Sequence, residues 1–169
     1  MVLAHAGWAL VVFGDSLEEG AHYLNESVLL DTNLFLGWSW SGWASLYLGD
    51  IESAIERFQR ALRQSPADFH SFIPLCGLAF TYFLSGDLQH AVGWAESAHR
   101  QRPDFLWCAV ILSASYAMVG RREDAERARR IVLQLSPDFK IPPEEKFGYR
   151  LKHHRERLRA GYLSAGLPE

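Results

Sequence analysis

Residues 37–66 read GWSWSGWASLYLGDIESAIERFQRALRQSP, and this stretch decides the fold. Its first half holds three tryptophans within seven residues, together with glycines that would weaken an isolated helix. Its second half carries apolar residues three and four positions apart, from Ile51 to Leu62, which is the spacing of one helical face. The Gly49–Asp50 pair between the halves is typical of a turn. The stretch therefore predicts two helices joined by a glycine turn.

The same arrangement recurs along the chain. A glycine followed by a polar residue occurs at spacings of 35, 37 and 34 residues, at Gly14–Asp15, Gly49–Asp50, Gly86–Asp87 and Gly120–Arg121. A proline recurs in a similar frame at Pro66, Pro103 and Pro137. Self-similarity at such a period is the signature of a helical repeat array. We expect each unit to read helix, glycine turn, helix, proline turn.

These residues resemble the tetratricopeptide (TPR) repeat family. The second unit supplies the family's preferred types at Trp38, Gly42, Ala54, Phe58, Ala61 and Pro66. The third supplies them at Leu78, Ala79, Tyr82, Ala91, Ala98 and Pro103, and the fourth at Leu112, Tyr116, Ala125 and Pro137. The first unit is degenerate, with Gly7 in place but Thr32 instead of proline. The resemblance covers residues 2–139.

The resemblance implies an all-α fold, a right-handed α-solenoid of four TPR-like helix pairs plus a C-terminal capping helix. The expected units span about 1–34, 35–68, 72–105 and 106–139, followed by a loop and helix over 140–169. Gly42 is expected where a side chain would collide with the partner helix, because close helix crossings need small residues. Trp38 is expected in the core.

Trp40 and Trp43 lie three residues apart and so share a helical face, which differs from that of Trp38. In TPR arrays the first helix of each unit lines a concave groove, and here the groove positions are almost free of charge. Aromatic anchors dominate the energetics of many interfaces. We therefore predict a protein or peptide partner bound at Trp8, Leu36, Trp40, Trp43, Tyr47, Ile73, Phe80, Phe83, Trp107 and Met118.

Two other interpretations of the groove stay open. The C-terminal segment or a neighbouring helix covers it, or it is a homodimer interface with no external ligand. A pocket for a small molecule or an acyl chain is a third option. Mass in solution, with and without residues 140–169, would separate the first two.

The tail differs in character from the repeats. Residues 140–149 contain a double proline and predict a loop, and LKHHRERLRAGYLSAG predicts a last helix with Leu151, Leu158, Tyr162 and Leu163 on its apolar side. Its basic surface is interpreted as a solvated cap, with an anionic-lipid or nucleic-acid patch as the alternative. The ending RERLRAGYLSAGLPE is similar to the C-terminus of TPR regions in bacterial multidomain nucleotide-cyclase or winged-helix regulator proteins, which implies a signalling or regulatory setting.

Charge is distributed unevenly. Residues 1–56 hold eight acidic residues and no Lys or Arg, whereas all 17 Lys and Arg lie from Arg57 onward with the other 12 acidic residues. Such a gradient indicates head-to-tail packing or a charged neighbour at one end. Cys76 and Cys108 have no metal or redox spacing, which favours reduced thiols and a cytoplasmic location.

Signatures of catalysis are missing from the sequence. It contains no glycine-rich phosphate loop, no GxSxG, no HExxH and no CxxC. The adjacent His153 and His154 would point about 100° apart on a helix and so do not favour a shared metal. We predict a protein that is not an enzyme, with no cofactor, no metal site, no nucleic-acid partner and no membrane association.

Overall fold

The fold is described from a computed structural model that covers residues 1–14, 16–65 and 68–169. Asp15 of the first glycine–polar pair and Pro66 of the first proline turn lie outside these described residues. Within them the chain forms nine α-helices and no strand: α1 Val2–Phe13, α2 Leu17–Leu30, α3 Phe35–Leu48, α4 Ile51–Gln64, α5 Phe72–Ser85, α6 Leu88–Gln101, α7 Leu106–Met118, α8 Arg122–Leu135 and α9 Lys152–Ser164. A short 3₁₀ helix, Glu144–Lys146, precedes α9.

The first eight helices stack as four antiparallel pairs. Each pair packs on the next through its second helix, and the first helices α1, α3, α5 and α7 also contact one another in order. The ninth helix packs against α7 and α5. The prediction of an all-α solenoid with a terminal helix is therefore confirmed.

The glycine turns end one helix and start the next. Gly49 and Gly86 adopt φ angles of 92° and 95°, a left-handed conformation that glycine reaches without the penalty of a Cβ. The following aspartates cap the second helices, since Asp50 accepts a hydrogen bond from the Ser53 amide at 3.0 Å. The Gly–Asp sequence thus encodes both a helix stop and a helix start.

The helix pairs approach closely because glycines leave room for one aromatic ring. Phe58 of α4 is fully buried between Gly42 of α3 and Gly77 of α5. A Cβ on Gly42 would lie 2.7 Å from this ring, and a Cβ on Gly77 would overlap it. The expectation that Gly42 avoids a collision is confirmed, and Gly77 contributes in the same way from the next unit.

Units one and two are joined by a polar contact as well as by packing. The Arg57 guanidinium of α4 donates to Asn25 Oδ1 of α2 and to Ser41 Oγ of α3, both at 2.6 Å. Burial lowers the pKa of Arg57. One side chain therefore connects three helices across the repeat boundary.

The prediction that Trp38 lies in the core is wrong. Trp38 is only half-buried, its indole N–H donates to the Thr32 carbonyl at 2.9 Å, and the Arg60 guanidinium lies 4.7 Å from its ring centre. Its location near the beginning of α3 brings it to the edge of the array, over the turn between units one and two. The indole shields this turn instead of filling the interior.

Adding a methyl group beside Phe58 tests this packing. We expect Gly77→Ala to lower the free energy of unfolding by about 1–3 kcal/mol, because the ring has no room to move and overpacking outweighs the gain in helix propensity. Urea unfolding followed by circular dichroism measures the change.

The matched control is Gly93→Ala in α6, where no atom of the described residues other than its chain neighbours and its own helix backbone lies within 4 Å of the new methyl group. This variant gains helix propensity without a clash and should stabilise the protein by up to about 1 kcal/mol. Equal effects of the two substitutions would contradict the packing role assigned to Gly77.

Candidate partner-binding surface

The inner wall of the array is formed by α1, α3, α5 and α7, and it carries the ten residues predicted to line a groove. They fall into two groups. Trp40, Phe80 and Phe83 are buried, and Tyr47 is largely covered. Trp8, Leu36, Trp43 and Ile73 are half-buried, and Trp107 and Met118 are exposed. A groove open along its whole length is therefore not present.

Trp40 is buried by the first unit. Its ring stacks on Trp8 of α1 with 5.9 Å between ring centres and an interplanar angle of 8°, and His5 meets its edge at 5.0 Å. Only 9% of Trp40 is exposed. The Trp40 side chain thus joins α1 to α3. The prediction that Trp40 lies on an open wall and contacts a partner does not agree with this burial.

The C-terminal segment covers the far part of the inner wall. Residues 140–169, here called the tail, bury Ile141, Phe147, Tyr149, Leu158 and Tyr162 in the same core as α5 and α7. Gly161 of α9 lies so close to Phe83 that a Cβ there would overlap its ring. Tyr149 packs edge-on against Tyr47 at 4.9 Å. The interpretation in which the tail covers the groove is correct for this part.

Basic residues of the tail bind the chain's own carbonyl groups. Arg157 donates to the Leu84 carbonyl at 3.0 Å, close to the C-terminus of α5, where free carbonyls and the helix dipole favour a cation. Arg155 donates to the carbonyls of Tyr149 and Arg150 at 2.6 and 2.8 Å. Arg150 also pairs with Glu18 of α2. These three arginines thus hold the tail in position against the array.

The part of the wall that the tail leaves open is apolar. Leu36, Ile73 and Trp107 are each the second residue of their helix, and α3, α5 and α7 follow one another along the wall. Trp43 shares the face of Leu36, seven residues earlier, and rests on Phe58 and Phe80. We call Trp8, Leu36, Trp43, Ile73 and Trp107 the open strip. None of its side chains is charged.

Two thiols lie beneath the tail. Cys76 of α5 and Cys108 of α7 are fully buried, free and close to each other. Burial, and then the contact with Cys108, raise the pKa of the Cys76 thiol. A buried thiol with a raised pKa is a poor nucleophile.

The polar side of the array carries an open cleft of about 530 Å³ between α6 and α7, lined in part by Glu96, His99 and Tyr116. Glu96 is already engaged, because it accepts hydrogen bonds from the Tyr116 hydroxyl at 2.8 Å and from Arg121 at 3.0 Å. Burial, and then the bond to Glu96, raise the pKa of Tyr116 to about 12. These contacts tie unit three to unit four.

Two further properties concern the chain as described over 1–14, 16–65 and 68–169. No group of three or more His, Cys, Asp or Glu side chains in this part is arranged to hold a metal ion. No helix among these residues combines the length and the apolar character needed to cross a bilayer.

The phenols between the tail and the wall predict a loss of stability at high pH. Burial raises the pKa of Tyr47 to about 12, and it also raises the pKa of Tyr149. Unfolding returns these phenols to their ordinary pKa near 10. The contribution of these phenols to the free energy of unfolding should therefore be constant below pH 10 and fall between pH 10 and 12, because the unfolded chain releases the protons first.

Urea unfolding at several pH values, with tyrosinate absorbance followed in parallel, measures this slope. Tyr47→Phe should make the slope shallower, because it removes one of the buried phenols. A slope that Tyr47→Phe does not alter would refute the burial of this phenol under the tail.

Comparisons with known proteins support the fold. No family model matches the chain, and no curated protein matches it. Among solved structures, TTC0263, a thermophilic TPR protein of Thermus thermophilus, is 18% identical with a TM-score of 0.70, over 98% of this chain and 82% of that one. MamA AMB-1 is 18% identical with a TM-score of 0.68, and the match covers 98% of this chain and 96% of the MamA chain. A second MamA structure is 19% identical with a TM-score of 0.66, and the match covers 83% of this chain and 78% of the MamA chain. The chain therefore has the helical-repeat fold of TPR proteins.

Proposed function

We propose that this protein is a non-catalytic protein-interaction or scaffold module that binds a segment of a partner protein on its inner wall. The observation that carries the proposal is the open strip, in which Trp107 is 41% exposed and the other four apolar side chains are partly exposed, with no charged side chain among them. Uncovered apolar surface of this kind marks interaction sites in soluble proteins. The fold supports the proposal, since stacked helix pairs create extended concave binding surfaces.

The strip favours a partner with regularly spaced apolar residues. Leu36, Ile73 and Trp107 repeat along the wall at the distance between packed helices, roughly 10 Å. An extended segment rising about 3.3 Å per residue would match them with every third residue. A helix rising about 1.5 Å per residue would match them at about every seventh residue. Both modes of peptide recognition are common.

The strip also limits what the partner can be. A carboxylate needs Arg, Lys or backbone donors to hold it, and none of the strip side chains carries a charge. We therefore propose recognition of an apolar internal segment and not of a charged chain terminus. The partner is proposed to be neither nucleic acid nor membrane lipid, because the basic side chains Arg155 and Arg157 of the tail are already engaged by the chain itself.

We propose further that the module serves a bacterial signalling or regulatory system in the cytoplasm. The similarity of the ending RERLRAGYLSAGLPE to TPR regions of cyclase and winged-helix regulator proteins supports this setting. The paired free thiols, Cys76 and Cys108, are compatible with a reducing compartment. An in-frame catalytic or DNA-binding domain encoded upstream in the gene would be the decisive observation.

Two members of the strip provide the test. Trp107→Ser and Ile73→Asp should each weaken partner binding about 30-fold or more, because truncating a hot-spot side chain typically costs about 2 kcal/mol. Complexes are captured by crosslinking in source cells, identified by mass spectrometry and then titrated as purified components.

The matched control is Phe69→Ser, which removes an aromatic side chain that is 70% exposed in the loop before α5. It should leave the affinity unchanged. Circular dichroism verifies that all three variants are folded. Equal affinities for the strip variants and the control would refute the proposed binding surface.

A further inference from the structure

The tail helix α9 places one histidine against the array. His154, Leu158 and Gly161 follow one another at spacings of four and three residues, so they share one face of the helix. Leu158 is fully buried and Gly161 lies against Phe83 of α5, so this is the face that covers the inner wall. His154 is itself only 3% exposed. An ionisable side chain is therefore part of the contact that closes the wall.

The surroundings of this imidazole favour its neutral form. The Nδ1 atom of His154 is buried and has no hydrogen-bond partner within residues 1–14, 16–65 and 68–169. A proton on Nδ1 would add a positive charge and a donor that finds no acceptor inside the contact, which costs free energy. Burial, and then the charges of His153 and Arg157, lower the pKa of His154. Docking of α9 is therefore compatible with neutral His154 and opposed by the charged form.

The elements packed against α9 do not compensate such a charge. The helix contacts α5 and α7, and neither contains Asp, Glu, Lys, Arg or His. Their titratable groups are thiols and phenols, which carry no charge near pH 7, at Cys76, Tyr82, Cys108 and Tyr116. The helix also contacts the 3₁₀ helix, where Glu144 lies 3.7 Å from Arg155 while Glu145 and Lys146 are exposed.

Carboxylates next to the tail have partners of their own. The pairs are Glu156 with Lys152, Glu18 with Arg150, Glu169 with Arg159, Asp50 with the Ser53 amide, and Asp87 with His90. A charged His154 would instead lie beside the Arg157 guanidinium, one turn along the same face of α9, which is held by the Leu84 carbonyl. Like charges would then repel each other within the contact.

We propose that α9 is an acid-released cover of the inner wall: protonation of His154 weakens its docking on α5 and α7 and uncovers the wall at Phe83. This conformational device concerns the covered part of the wall, not the open strip. It goes beyond the proposed partner binding and operates without a partner.

The direction of the pH effect follows from the lowered pKa. Released α9 returns His154 to water and to the ordinary histidine pKa of 6.5. The contribution of His154 to docking is therefore fully present above pH 6.5 and is lost as the pH falls through the lower pKa of the docked state. Because release takes up one proton, the release equilibrium changes by at most about tenfold per pH unit within this window.

Amide hydrogen exchange of the full chain tests the proposal. Protection factors at about pH 7.5 and 5.5 are measured by mass spectrometry and corrected for the intrinsic pH dependence of exchange; Asp and Glu stay ionised at both values. The amides of α9 should lose protection by roughly threefold to tenfold at the lower pH, because local release exposes them. The amides of α2, which packs on α1 and α3, should keep theirs.

Histidine variants assign the response to one side chain. His154→Gln and His154→Phe cannot take up a proton, so the protection of α9 should be the same at both pH values. The matched control is His153→Gln, which changes the exposed neighbouring histidine and should respond like the wild type. His99→Gln in α6 should also respond like the wild type, because release is local, although burial lowers the pKa of His99 as well.

Three results would overturn the proposal. One is constant protection of α9 in the wild type, and another is an equal loss of protection in α2, which indicates global unfolding. The third is an acid response that persists in both His154 variants. Where a variant does not fold, the wild-type comparison of α9 with α2 decides on its own.

Discussion

The architecture depends on the contact between Phe58 and two glycines. The ring occupies a slot between α3 and α5 that exists only because Gly42 and Gly77 have no side chain. It fills the space completely, since Phe58 has no exposed surface. The close approach of these helices fixes the spacing of the inner wall and hence the spacing of Leu36 and Ile73 on the open strip. One core contact therefore sets the geometry of the candidate binding surface.

The repeat period was sufficient to predict the helix pairs and the packing role of Gly42. It did not predict correctly which of the tryptophans are buried in the core. A repeat frame tells which side of a helix faces its partner, but not how deep that position lies in a particular unit. Trp38 lies near an end of its helix and is only half-buried, whereas Trp40 is buried because Trp8 of the degenerate first unit stacks on it.

The tail was the least predictable part. Residues 140–169 lie outside the period, so no frame indicates which helices they contact. The apolar residues of α9 were identifiable from helical spacing, and Leu158 and Tyr162 are indeed buried, but Leu163 of the same set is exposed. Coverage of Phe83 by α9 depends on Gly161, a glycine with no repeat equivalent to draw attention to it. The uneven charge is explained in part by the same contacts, since Arg150 reaches Glu18.

The packing of the tail onto α3, α5 and α7 also affects how the molecule folds and unfolds. Solenoids made only of neighbour contacts lose their end units one by one, and their folding requires little chain closure. Here the Arg150 amide donates to the Tyr47 carbonyl at 2.8 Å and Arg150 pairs with Glu18, so residues more than a hundred positions apart are held together. Closing this loop costs chain entropy and should slow the last step of folding. Once closed, the loop ties the tail to α3 at Tyr47, which should couple the unfolding of the tail to that of the second helix pair.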